Sequence, residues 1–187
     1  MNITLRKASG RCRLGLYFSA LLGIAGSGYA AGDTVEVRKF ELTIIEETVG
    51  GNDIVAGEFS AAVEKINKRL SLDSKYAKNT NLCAAYTAQG EFASAQPHCK
   101  AALTLSRSSN YGLINSSRFY TAKRHRQAMA LNNLGVWHAL QGDADQAQAY
   151  FQNAANRSKD LKATSSRNID VLELRMGTAT VASSSYG

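Results

Sequence analysis

Three stretches decide the fold: Gly57-Glu58-Phe59-Ser60-Ala61-Ala62, Gly90-Glu91-Phe92-Ala93-Ser94-Ala95 and Gly142-Asp143-Ala144-Asp145-Gln146-Ala147. Each opens on Gly and an acidic residue, and each carries Ala five residues after the Gly. Nine positions after each Gly stands an apolar residue (Ile66, Cys99, Phe151), and thirteen after stands Leu70, Leu103 or Ala155. Offsets of 5, 9 and 13 share one face of a helix. The Gly suits a tight turn between two helices, and the acidic residue is favourable at the positive N-terminus of the second.

The residues upstream of the second and third corners also match. Asn81-Leu82-Cys83-Ala84-Ala85-Tyr86 ends four residues before Gly90, and Asn133-Leu134-Gly135-Val136-Trp137-His138 ends four before Gly142. Each reads as the heart of a first helix, with a small residue after the Leu that lets the paired backbones approach. This pattern resembles the tetratricopeptide repeat, a helix–turn–helix unit of about 34 residues. The resemblance implies an all-α fold, a short right-handed α-solenoid of about two and a half repeats. The repeats fall at about 50–75, 76–109 and 128–161 within a repeat domain of 50–162.

Gly57 and Gly90 are 33 residues apart, but Gly90 and Gly142 are 52 apart, leaving an insert at 110–127. Ser116-Ser117 can cap a helix running from Arg118 through Leu140, which extends the third repeat's first helix. Ser108–Asn115 then forms a loop. The motif's usual closing Pro is replaced by Arg107 and Lys159, and Pro97 inside a second helix predicts a kink near Ala93. Before the repeats, Thr34–Ile45 partly alternates and reads as an extended arm or lone strand within 31–49. The Ser- and Thr-rich segment 163–187 reads as a frayed, flexible tail.

The first thirty residues read as a secretory signal. Arg6, Lys7, Arg11 and Arg13 give a positive start, Leu14–Ala25 an apolar core, and Gly28 and Ala30 the small residues for a cut after Ala30. The competing reading is an uncleaved anchor, for which the apolar core is short. Cleavage lowers the Lys and Arg count from 22 to 18 against 15 acids, so the net charge falls from +7 to +3. Cys12 leaves too, and the odd count of three cysteines becomes an even pair, Cys83 and Cys99. The expected location is periplasmic or secreted, with no stable membrane insertion after cleavage and no nucleic-acid partner. The 44% apolar and 20% charged content is that of a folding chain. One Pro and 8% aromatic residues fit poorly with a turn-rich all-β domain.

In the repeat frame, Cys83 holds the small close-approach position of one helix and Cys99 an inward position on the next, which implies a disulfide. The competing reading is two buried free thiols. A separation of sixteen is not the Cys-x-x-Cys of a redox pair. His98, His125 and His138 lack ligand spacing, so neither a metal nor another cofactor is expected. No nucleophile elbow, phosphate loop or dinucleotide fingerprint is present, and no catalytic residue is assigned. The cluster Arg118, Lys123, Arg124, His125 and Arg126 reads as a solvated helix face, with an anionic partner or membrane surface as the alternative.

The family's first helices line a groove for a partner peptide. The positions this implies here are Thr80, Ala84, Thr87, Asn132, Val136 and Ala139. They are small and weakly polar and lack the cations of a carboxylate clamp, so an extended or helical segment held by shape is expected. The chain thus reads as an exported, non-enzymatic module for protein–protein interaction. The alternative is a structural or oligomerising subunit of an envelope complex, formed because a short solenoid leaves apolar ends, with a homo-oligomer as its consequence.

Overall fold

A computed structural model describes residues 3–7, 39–68, 74–108 and 117–184. The expected signal core Leu14–Ala25, Cys12, the cut after Ala30 and most of the insert loop lie outside these residues. Two strands, β1 (Ile3–Lys7) and β2 (Phe40–Ile44), accompany seven helices: α1 (Gly51–Val55), α2 (Phe59–Lys68), α3 (Lys75–Gln89), α4 (Phe92–Arg107), α5 (Ser117–Leu140), α6 (Ala144–Arg157) and α7 (Lys159–Ser184). The fold is the all-α helical-repeat class that the corners imply. Hairpins α3–α4 and α5–α6 stack side by side, α2 packs on α3, and α7 packs on α5 and α6.

The corners are built alike. Gly57, Gly90 and Gly142 have φ of 82°, 78° and 84°, a region that favours glycine. At each, the Gly N–H donates three residues back (Ile54, Thr87, Ala139), and the following acidic residue's N–H donates five back (Asp53, Tyr86, His138). This caps the preceding helix and reverses the chain. Asp143 also caps α6 by accepting from the Gln146 N–H. Pro97 sits inside α4 without ending it. Helix α5 starts at Ser117, so the insert does lengthen this helix at its start.

One contact recurs in every hairpin between residues sixteen apart. A Cβ on Gly135 would lie 2.5 Å from the Phe151 ring, and a Cβ on Gly50 2.7 Å from Ile66 Cγ1. At the corresponding place in the middle hairpin, Cys83 and Cys99 are joined by a disulfide, with their Cα atoms 4.8 Å apart. Both cysteines are fully buried beside Leu134 and Trp137. Gly50 therefore marks the first hairpin's close-approach position, although only the short helix α1 follows it.

Two segments differ from expectation. Residues 163–184 are not a frayed tail; they belong to α7, which follows α6 after the single residue Ser158. Leu161, Thr164, Ser165, Asn168, Val171 and Leu172 form its buried stripe at helical spacing. Half of that stripe is polar, which hides it from a hydropathy reading. The arm is not a lone strand either: β2 lies among the helices, with Phe40, Leu42 and Ile44 fully buried. It pairs in parallel with β1, from Ile3 opposite Phe40 to Lys7 opposite Ile44.

The corners and the close approaches respond to different substitutions. Gly142→Ala meets no neighbour and carries only the strain of positive φ, so it should lower the unfolding free energy by about 1–2 kcal/mol. Gly135→Ala must displace the buried Phe151 ring and should cost about 1–3 kcal/mol. Urea titration of each variant measures both. Thiol titration of the unfolded, unreduced protein carrying Cys12→Ser should find no free cysteine. Cys83→Ser with Cys99→Ser should cost about 2–4 kcal/mol; two free thiols would refute the pairing.

Candidate functional site

The first helices α3, α5 and α7 line one concave face, and β2 lies in it, packed against all three. A strand surrounded by helices has no neighbouring strand on its inner edge, so its backbone groups need other partners. Asparagine side chains supply them. Asn168 Oδ1 accepts from the Glu41 N–H at 2.7 Å, and its Nδ2 donates to Glu41 O at 2.9 Å. Asn133 makes the same pair with Thr43, both at 2.8 Å. Asn81 makes it with Ile45, at 2.8 and 2.9 Å. Three amides on three successive first helices thus hold the N–H and C=O of three alternate residues.

Asn132 adds a fourth link by donating to Glu41 O at 2.8 Å. Its own Oδ1 accepts from Asn168 Nδ2 at 3.0 Å and Ser165 Oγ at 3.3 Å. Thr43 Oγ1 reaches Asn133 Oδ1 and Met129 O at 2.8 and 3.1 Å. The Glu41 carboxylate receives both arms of Arg167, at 2.8 and 3.0 Å. On the apolar face, the Phe40 ring stacks near Phe151 at 6.1 Å, and the Arg175 guanidinium lies 4.6 Å from the Phe40 centroid. The strand is fixed by backbone, charge and packing together.

The six groove positions implied by the repeat resemblance lie on α3 and α5, but the segment they meet is the chain's own. Ala84, Val136 and Ala139 share a core with Phe40, Leu42 and Ile44. Asn132 bonds the strand directly. Thr80 is buried and donates to Tyr76 O within its own helix. Thr87 is also buried, and its Oγ1 has no hydrogen-bond partner among the described residues. A groove open to an outside peptide is therefore replaced by one already filled. Asn81, Asn133 and Asn168, which hold the strand, were not among the expected positions. Their signal was present: Asn81 and Asn133 stand at one repeat position, and Asn168 follows Asn133 by 35 residues.

Within the basic cluster, Arg124 and Arg126 make contacts inside the fold. Arg124 Nε and Nη2 donate to Arg157 O and Asn156 O, both at 3.1 Å, satisfying carbonyls at the end of α6. Arg157 donates to Gln127 Oε1 at 2.6 Å, and Arg126 lies 5.7 Å from the Tyr76 ring centroid. The side chain of Arg118 lies outside the described residues. Tyr76 donates its hydroxyl to Arg126 O, and burial holds its phenol above the ordinary range. Burial lowers His98, with Lys78 adding to the effect, and lowers His125 against the opposing pull of Asp160. Among the described residues no three His, Cys, Asp or Glu side chains gather as a metal site would require. None of the helices searched is long and apolar enough to cross a membrane.

Stacked hairpins with glycine corners and a concave face of first helices define a helical-repeat protein. Residues 127–161 match the family model described as Tetratricopeptide repeat, so this hairpin is similar to that family's repeat. No curated protein and no solved structure matches the chain. The matched segment runs from within α5 through α6 to the start of α7 and includes Asn132 and Asn133.

Removing one amide should expose its importance. Asn133→Ala leaves the Thr43 N–H and C=O buried without partners and should cost about 2–4 kcal/mol. Asn153→Ala, whose amide only reaches back to Ala149 O at an exposed site, should stay within about 0.5 kcal/mol of the parent. Chemical unfolding of the two variants makes the comparison.

Proposed function

We propose that this protein is an exported, non-enzymatic module that joins other proteins. The observation that carries the reading is the filled groove. Three repeat-related asparagines hold one extended backbone, and this arrangement serves to hold a chain in place. Nothing in it activates a nucleophile or gathers acid and base. Because the chain's own strand occupies the concave face, a partner meets the strand's outer edge and the surface around it.

Export is supported by the charge, apolar run and small residues of the first thirty positions. The buried Cys83–Cys99 disulfide also suits an oxidising compartment. Self-association through apolar ends has less to support it. Among the described residues the large exposed apolar side chains are Val55, Leu174 and Met176, too few for a broad apolar face.

Expression with the natural N-terminus in a bacterial host tests the export reading. Intact mass of the protein recovered from the periplasm should correspond to a chain beginning at Ala31. A chain that stays in the cytoplasm and retains residues 1–30 would contradict it.

A further inference from the structure

The amides of Asn168, Asn133 and Asn81 occupy the backbone groups of Glu41, Thr43 and Ile45. Along a strand these groups point alternately to opposite edges, so Phe40, Leu42 and Ile44 turn theirs outward. That outer edge carries β1, residues Ile3–Lys7, in parallel register. β1 belongs to the segment that the export reading removes.

We infer that the outer edge of β2 is a strand-accepting site. It is filled by Ile3–Lys7 while the N-terminal segment is attached, and after cleavage by an extended segment of a protein partner running parallel to β2. The post-cleavage occupant rests on the export reading; the edge itself does not.

The edge is built to receive a strand. β2 cannot fold away or shift register, because its inner edge is clamped and Phe40, Leu42 and Ile44 are fully buried. A fixed edge adds little ordering cost when a strand binds. Exposed edges are commonly guarded by Lys, Pro or a bulge, and Phe40-Glu41-Leu42-Thr43-Ile44 contains no Lys or Pro. The resident strand indicates the partner's chemistry. Ile3-Thr4-Leu5-Arg6-Lys7 alternates apolar and polar residues and ends in two cations. The register places Arg6 and Lys7 opposite Thr43 and Ile44, where the chain runs on into Glu46 and Glu47. A Pro-free segment, apolar and alternating at its start and basic toward its C-terminal end, fits this edge. Main-chain bonds supply affinity and alternate side chains supply specificity.

The test is fluorescence anisotropy with a labelled peptide of residues 1–9. It is titrated into the full chain, the full chain carrying Thr4→Pro with Arg6→Pro, and the protein recovered after export. The register turns the N–H groups of Thr4 and Arg6 toward β2, so this double variant removes the donors of β1 and changes no residue of the repeats. The full chain should exclude the peptide, because tethered β1 competes at high effective concentration. The double-proline chain and the processed protein should both bind it. Peptides N-methylated at alternate residues should show a period of two: one set loses about tenfold in affinity and the other stays near the parent. Failure of the double-proline chain to bind, or equal loss from both methylated sets, would overturn the edge. Intact mass of the exported protein reports separately. A retained N-terminus would overturn the post-cleavage occupant while leaving the double-proline result to decide the edge.

Discussion

A strand buried among helices must satisfy its backbone without a sheet on that side. Each orphaned peptide group would cost about 1–3 kcal/mol. At Glu41, Thr43 and Ile45 the N–H and C=O are both met by one asparagine amide. The primary amide suits this because it carries a donor and an acceptor side by side. Asparagine is a poor residue for a helix interior. Its recurrence on α3, α5 and α7 is explained by what it holds, and the placement of the strand, its apolar partners and its outer edge all follow from that clamp.

The clamp depends on the spacing of the first helices, which the hairpin contacts set. Gly50 against Ile66, Cys83 against Cys99 and Gly135 against Phe151 are one contact made with three chemistries. Where a ring or branched chain fills the space, glycine yields to it. In the middle hairpin a covalent bond takes its place. The Phe151 ring lies over Gly135 and beside Phe40, so the third hairpin's packing and the strand's seat are shared.

Much of this was legible in the residues. The Gly–acidic corners, the helical offsets and the small residue after each Leu placed α2 to α6 and brought Cys83 to Cys99. The strand's position was not legible, because the partial alternation of Thr34–Ile45 shows extension but not what lies around it. The repeat resemblance points to Asn132, which does bond the strand, but it does not point to the amides of Asn81 and Asn133, which lie one residue on from Thr80 and Asn132, about 100° around the helix. Helix α7 is not legible in the sequence because its buried face mixes Thr164, Ser165 and Asn168 with Val171 and Leu172. Polar residues buried against a strand's backbone look, in sequence, like residues left in water.

In this chain the repeat scaffold holds its own strand, and in doing so it presents that strand's outer edge in a fixed register. Hydrogen exchange of the full chain, resolved by residue, tests the clamp most directly. The amides of Glu41, Thr43 and Ile45 should exchange as slowly as those in the middle of α3 and α5, opening only with global unfolding. Fast exchange at these three positions, with α3 and α5 still protected, would contradict the account.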